Sequence, residues 1–428
     1  MGIETNGQSA LERGVAFAKS GPGGALVVAF SAFLVVDLVL KLAGVGASVS
    51  LATVPVVSEL PVVGDLSGGI GGAIPFGQFS SYVWNGLVIG LVIGLASIGL
   101  SLTYSILNFA NFAHGDYLTT GAFSGWAVTY VIAGFGGLDL VNLVLLRTPP
   151  GDVGANLWLS PLAVVLGLIV SILATLVFAL AIDRVVYRPI RDADGISLLI
   201  ASIGVAFALR YLISLVFGNS RRIVTSTESL PSFDLVQVIV GFAETVAEVA
   251  PAFLVDLFPS VLVPSNAGAL IVNAHEVTLI IIAVLLMLGL HVLLQRTKLG
   301  KAMRAMADNR DLARVSGIPT ERVISTTWII GAGLTGAAGF LLVLSQGGLG
   351  FTTGWRLLLL IFAAVIMGGI GSIYGAIAGG LVIGLASRVS LVWLQGDWSA
   401  FARPTAFLLM ILILLFRPSG IFSGVKTT

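Results

Sequence analysis

An all-α membrane protein, a polytopic transmembrane helical bundle with a broken helix and a helical loop on the cytoplasmic side, is the fold this sequence predicts. Three observations carry the prediction. Of the 428 residues, 57% are hydrophobic and 10% charged, against about 25% charged in soluble domains. Apolar runs of about 20 residues, enough to cross a bilayer as helix, recur along the chain. Lysine and arginine gather in only a few of the loops between those runs. The 53 glycines suit helices packed backbone to backbone in lipid. A net charge of +1 gives no field that would draw nucleic acid, and a chain without cysteine has no disulfide, thiolate nucleophile or cysteine metal site.

The first apolar run, 24–46, reads as a retained helix, because its length and the pair Asp37 and Lys41 one turn apart inside it suit a span. A cleaved signal peptide is the plainer alternative. Further spans are expected at 83–106, 116–136, 160–183, 196–217, 276–295, 324–346, a short 357–369, 373–395 and 403–417. The short one is expected to be steep or broken. Residues 47–82 and 218–275 are too long for turns, and 236–258 is apolar enough to lie on the outer surface as an interfacial helix or hairpin.

Loop charge sets the orientation. Residues 296–322 carry seven basic side chains: Arg296, Lys298, Lys301, Arg304, Arg310, Arg314 and Arg322. Residues 184–194 carry Arg184, Arg188 and Arg191. Both segments are expected to be cytoplasmic. Residues 218–276, with two arginines against six carboxylates, are expected outside. Alternation from these anchors puts both termini in the cytoplasm, provided that 357–369 and 373–395 both cross.

No catalytic motif accompanies the spans. Gly300–Lys301 lacks the upstream glycine and the following Ser or Thr of a P-loop. His114, His275 and His291 have no metal-ligand spacing. The sequence therefore reads as a non-enzyme, with no cofactor and no metal. Gly86, Gly90 and Gly94, and likewise Gly371, Gly375 and Gly379, recur every four residues. Such stripes read first as helix–helix contacts and second as the border of a solute path.

The segment RTKLGKAMRAMADNRDLARVSGIPTER, 296–322, has a helical pattern over 301–315, stopped by Gly317 and kept from resuming by Pro319. A basic linker touching lipid headgroups is one reading. Asp308 and Asp311, with apolar positions between charges, fit a protein-docking surface better.

In order along the chain come NFAHG at 111–115, YRPIR at 187–191, TKLGKAMRAMADN at 297–309, SGI at 316–318, GGIGSIYGAIAGG at 368–380 and RPSGIF at 417–422. This series resembles the branched-chain amino-acid permease family of ABC importers over residues 83–425. The resemblance implies a permease subunit working with a second permease, two ATP-binding subunits and an external substrate-binding protein. It also implies that 296–322 is the cytoplasmic coupling loop, with a coupling helix that docks on the ATPase through Arg304, Ala305, Asp308, Asn309, Ala313, Gly317 and Ile318. Residues 1–82, with the extra helix and an external loop, would be an addition to the family pattern. The loop departs from many importer loops in lacking a glutamate at its start. Urea and short-chain amide permeases look much alike, so the solute stays open.

One stretch stands apart. NFANFAHGDY, 108–117, joins two spans on the inner side yet contains no basic residue, unlike the other inner loops. It is expected to lie within the membrane depth as a break between helices, where irregular backbone is tolerated only if buried or lining a cavity. Asn108, Asn111, His114 and Asp116 would satisfy freed backbone groups there, Gly115 would permit the turn, and Asp116 would favour the positive end of the next helix. They are either architectural or on the solute path, since an intramembrane ionisable group marks a site by default.

The expected function is translocation of branched-chain amino acids across the cell membrane, with ATP hydrolysed by partners. An ion-coupled secondary transporter is the rival. It would need matched broken helices and buried carboxylates in two halves, for which Asp116 is the one good candidate. A scaffold that transports nothing would leave the break and the docking loop unexplained.

Overall fold

The computed structural model describes residues 22–42, 49–50, 69–70, 74–191, 193–227, 230–235, 237–238, 269–418 and 420–421. Nearly all of the regular structure is helical. The elements are α1 Pro22–Leu42, α2 Phe76–Leu107, α3 His114–Ala133, the short α4 Leu140–Val144 and α5 Pro150–Val153, α6 Pro161–Ile182, α7 Gly195–Phe217, α8 Ala274–Arg296, α9 Lys298–Asp308, α10 Arg310–Val315, α11 Thr320–Gln346, α12 Thr353–Gly368, α13 Ile373–Val389 and α14 Ala402–Phe416. Three two-stranded antiparallel pairs complete it: β1 Val49–Ser50 with β2 Gly69–Ile70, β3 Arg222–Ile223 with β6 Gly348–Leu349, and β4 Ser232–Asp234 with β5 Ile271–Asn273.

Every span expected from the apolar runs has a helix. Seven helical segments among the described residues are long and apolar enough to cross a membrane, so this is a polytopic helical membrane protein. The expected 116–136 span exists as α3 but is not among the seven, because His114, Asp116, Thr119 and Thr120 fill its first turns with polar groups. The short span is one continuous 16-residue helix, α12, and not a broken one. The expected surface helix or hairpin at 236–258 lies almost wholly outside the described residues.

The chain divides into two compact units. The first comprises the described parts of Met1–Tyr82, Leu235–Leu270 and Val389–Arg403. In it Asp37 and Lys41 form an i,i+4 ion pair at 3.4 Å with both side chains buried, and Trp393 Nε1 donates to Asp37 Oδ2 at 2.8 Å. Two charges can lie in so apolar a helix because each neutralises the other.

The second unit holds the rest. Its centre is α2 and α11, almost wholly buried, while the exposed faces of α6 and α8 carry Leu, Val and Ile suited to lipid. Small residues let the inner helices touch. Gly125 of α3 lies against Gly167 of α6, where a Cβ would come 2.6 Å from the Gly167 carbonyl oxygen. Ser171 Oγ of α6 donates to Gly336 O of α11 at 2.8 Å. The two glycine stripes read in the sequence meet helices as contacts: Gly90 of α2 abuts Leu381 of α13, and Gly375 and Gly379 of α13 abut Gly368 and Ala364 of α12. At the far ends of α7 and α11, β3 and β6 clamp the helices, with Val224 N donating to Gly347 O at 2.8 Å.

Candidate functional site

The connection between α2 and α3 shows why NFANFAHGDY has its polar groups. Asn108 ends α2 in the left-handed region, φ 55°, a conformation that asparagine tolerates better than most residues. The turn expected of Gly115 is therefore made by Asn108, while Gly115 lies inside α3. Gly115 serves the packing instead, since a Cβ on it would lie 2.6 Å from Gly354 O of α12.

From that turn the chain runs along α7. Asn108 O lies beside Gly195, Phe112 N donates to Ser202 Oγ at 3.0 Å, and Asp116 meets Arg210. Those α7 positions cover fifteen residues, so the break climbs roughly 20 Å beside the helix. His114 is correspondingly level with Ala96, eleven residues back from the end of α2, or about 16 Å at 1.5 Å per residue. The break thus lies among the helices, well back from the end of α2.

The Asn108 side chain is exposed, so it is not the buried group expected to satisfy freed backbone, whereas Asn111, His114 and Asp116 are buried. Asn111 is fully buried, and its Oδ1 accepts from Ala113 N at 3.0 Å and from the Tyr187 hydroxyl at 3.3 Å. His114 is buried, with Nε2 2.8 Å from Ala96 O and 3.2 Å from Thr335 Oγ1. A carbonyl can only accept, so that nitrogen carries the proton, and the ring ties α3 to α2 and α11. Asp116 is fully buried. Its side chain does not satisfy backbone, as the sequence reading expected, but takes both forks of the Arg210 guanidinium, Oδ1 from Nε at 3.0 Å and Oδ2 from Nη2 at 2.8 Å. Its place in the first turn of α3 is as expected.

Sequence reasoning missed Arg210. Its guanidinium lies 4.3 Å above the Trp355 ring and 5.4 Å from that of Phe207, so a cation in the apolar run 196–217 is held by a carboxylate and two π faces. A lone arginine in such a run is itself a signal. Also missed was the wall below the break. The segment after α6 is a single π-turn, Asp183–Tyr187, a form often found at functional positions. It turns Tyr187 onto Trp328 of α11, stacked at 5.4 Å and 5°. Tyr117 meets the same Trp328 ring edge-on at 6.4 Å, so the polar tips of Asn111, Tyr117, Tyr187 and Trp328 are all buried there. Arg191 pairs with Asp183 and Glu321, each at 2.9 Å, and so is not the free loop charge that the orientation rule counted.

The basic segment 296–322 departs from the single helix expected over 301–315. It is two helices, α9 and α10, broken at Asn309 (φ −158°, ψ 107°), whose Oδ1 accepts from Leu312 N at 2.9 Å and caps α10. Gly317 follows at φ +83° and stops the segment as expected, with Ile318 N donating back to Ala313 O at 3.1 Å. Met303 and Met306 are buried on the helical body. Ala313 is buried too, so it faces this chain and leaves no room for a partner, contrary to the sequence reading. Arg304 is half-buried, its Nη1 donating to Gln295 Oε1 at 3.2 Å, and Ala305 is likewise half-buried. Exposed are Asp308, Asn309, Gly317 and two apolar side chains, Leu312 at 64% and Val315 at 87%.

Among the described residues no group of His, Asp and Glu could hold a metal. What the arrangement offers is a buried ion pair at a helix break and an apolar face on a basic segment.

Comparisons with known proteins give the chain a family. The family described as the branched-chain amino acid transport system permease component matches residues 82–416. The chain is similar to the high-affinity branched-chain amino acid transport system permease protein LivH of Escherichia coli (strain K12), 31% identical over 346 residues, covering 81% of this chain and 96% of the relative. It is similar to BraD of Pseudomonas aeruginosa, described in the same words, 29% identical over 341 residues, 79% of this chain and 93% of the relative. A probable branched-chain amino acid transport permease LivH of Methanocaldococcus jannaschii is 29% identical over 333 residues, 76% of this chain and 87% of the relative.

Proposed function

Since the chain belongs to the branched-chain amino acid transport permease family, we propose that it is the permease subunit of an ATP-driven importer that carries hydrophobic amino acids into the cell. It would work with a second permease, two ATP-binding subunits and an external substrate-binding protein, with no enzyme activity of its own. The observation that carries this reading is the exposed face of Leu312 and Val315 on the seven-times basic segment between α8 and α11. A solvated linker has no reason to present two large apolar side chains, whereas an ATPase groove would cover them. The charges of 296–322 favour the cytoplasm for this face and, by alternation, for both termini.

The break belongs to the same reading as a path element. Asn108, Asn111, His114, Gly115 and Asp116 would place a movable hinge of irregular backbone beside the solute route. The ion-coupled rival draws less support, because the buried carboxylates of the described helices, Asp37, Asp116 and Asp183, are each neutralised by a basic partner, Lys41, Arg210 and Arg191. A urea or short-chain amide solute would use the same machinery. Affinity purification from the native cell in mild detergent tests the assembly. An ATPase recovered in equal amount to the permeases agrees with the proposal, and recovery of the chain alone with full transport on reconstitution contradicts it.

A further inference from the structure

A cavity of about 510 Å³ opens where the inner ends of α2, α8 and α13 meet α9, within the size range of small-molecule sites. From Met287 to Gln295 on its α8 wall is eight residues, so it reaches about 12 Å into the spans. The wall is not uniform. Leu102, Met287 and Ile377 line it on the membrane side. Polar groups line the cytoplasmic side, joined in a chain: His291 Nδ1 to the Tyr374 hydroxyl at 2.5 Å, Gln295 Nε2 to the same hydroxyl at 3.4 Å, and Arg304 Nη1 to Gln295 Oε1 at 3.2 Å. Asp308, one turn beyond Arg304 on α9, completes the rim.

A pocket with an apolar wall, a guanidinium and a carboxylate one helical turn apart matches one class of ligand. We infer that this cavity is an inner binding site for a zwitterionic amino acid with an apolar side chain, its carboxylate at Arg304 and its ammonium at Asp308. Arginine presents a planar fork of donors suited to a carboxylate, and positions i and i+4 lie about 5–6 Å apart at Cβ, a spacing that the two ends of one α-amino acid can bridge. Leu102, Met287 and Ile377 take the side chain. This inference rests on the importer reading above and adds to it. The wall that holds the charged end of the solute is α9 itself, so the element offered to the ATPase also touches solute before release. Tyr374 and Gln295 act as positioning residues that hold the guanidinium at the rim.

The test uses the assembled complex in vesicles with its cytoplasmic face accessible. A single cysteine replaces Ile377 in this otherwise cysteine-free chain, and its alkylation by an impermeant maleimide is followed by mass. Leucine is expected to slow alkylation about tenfold, while leucinamide, which lacks the carboxylate, and isocaproate, which lacks the ammonium, slow it less than about twofold, the scale of one lost charge-assisted contact. Arg304→Gln should abolish protection by leucine and Arg304→Lys should restore part of it. If Arg304→Gln fails to assemble, Asp308→Asn serves instead, and should weaken protection by leucine while leaving isocaproate unchanged. Equal protection by leucine and leucinamide overturns the inference, as does none by either in vesicles that accumulate leucine. Protection by added anionic phospholipid alone also overturns it and marks a headgroup site. Vesicles that accumulate another solute and no leucine refute the amino-acid part of the reading above first, and the cavity's assignment with it.

Discussion

Asp116 and Arg210 form a buried ion pair among the helices, and their energetics decide what each can do. Removing one partner leaves a buried charge uncompensated, at a cost of about 3–5 kcal/mol, whereas replacing both with apolar groups of similar size is often neutral. Asp116→Asn should therefore lower thermal stability in detergent sharply. Asp116→Leu with Arg210→Met should recover most of it, as read by the melting midpoint. If the pair also lies on the solute path, the stable double variant should still transport poorly, and full transport by it would make the pair architectural. A second residue-scale expectation concerns Gly354, where a Cβ would overlap the Gly115 carbonyl and lie 2.5 Å from Thr119 Oγ1. Gly354→Ala should destabilise by about 1–3 kcal/mol through overpacking, checked in the same melts. At this scale the sequence was half legible. The polar content of 108–117 pointed to the break because loop charge was missing. Arg210 was passed over because an apolar run averages away a single residue, and its partner lies 94 positions earlier.

At the scale of elements, apolar length was a sufficient guide to the helices, since lipid imposes about 20 residues on every span. It could not show how Asn309 behaves. Within 301–315 the helical pattern continues through it, but its short side chain caps α10 at Leu312 N and offers the backbone an alternative to helix. Nor could the pattern tell which alanine faces outward, and Ala313 turned inward. A bulky residue at Ala313 would thus disturb the fold and say nothing about docking. Leu312→Asp with Val315→Asp is the cleaner variant, because both side chains are exposed. It should leave membrane insertion and the melting midpoint unchanged while dissociating the ATPase on size exclusion; an intact complex would make α10 a solvated linker. Gly317→Ala should cost about 1 kcal/mol from its positive φ alone, since a Cβ there meets open space. Its effect should therefore be on the direction of the loop end.

For the whole molecule the claim is a direction: solute enters, and the basic segment faces the cytoplasm. Cysteine placed at Arg310 should react with an impermeant reagent only from inside, and cysteine at the exposed Trp158, before α6, only from outside. Reversed labelling would invert the orientation and turn importer into exporter. The fold class was legible because composition, span length and loop charge agreed. The solute was not, because no single segment specifies it; the cavity lined by Met287, Arg304 and Tyr374 is assembled from segments far apart in the sequence. The central claim, that ATP hydrolysis by partners drives the movement, is tested most directly by leucine uptake into vesicles that hold the complete complex and an external binding protein. Accumulation is expected only with ATP on the side of α9 and α10, with hydrolysis stimulated by loaded binding protein and indifferent to collapse of ion gradients. Leucine accumulation without ATP, abolished when a proton or sodium gradient is dissipated, would contradict it.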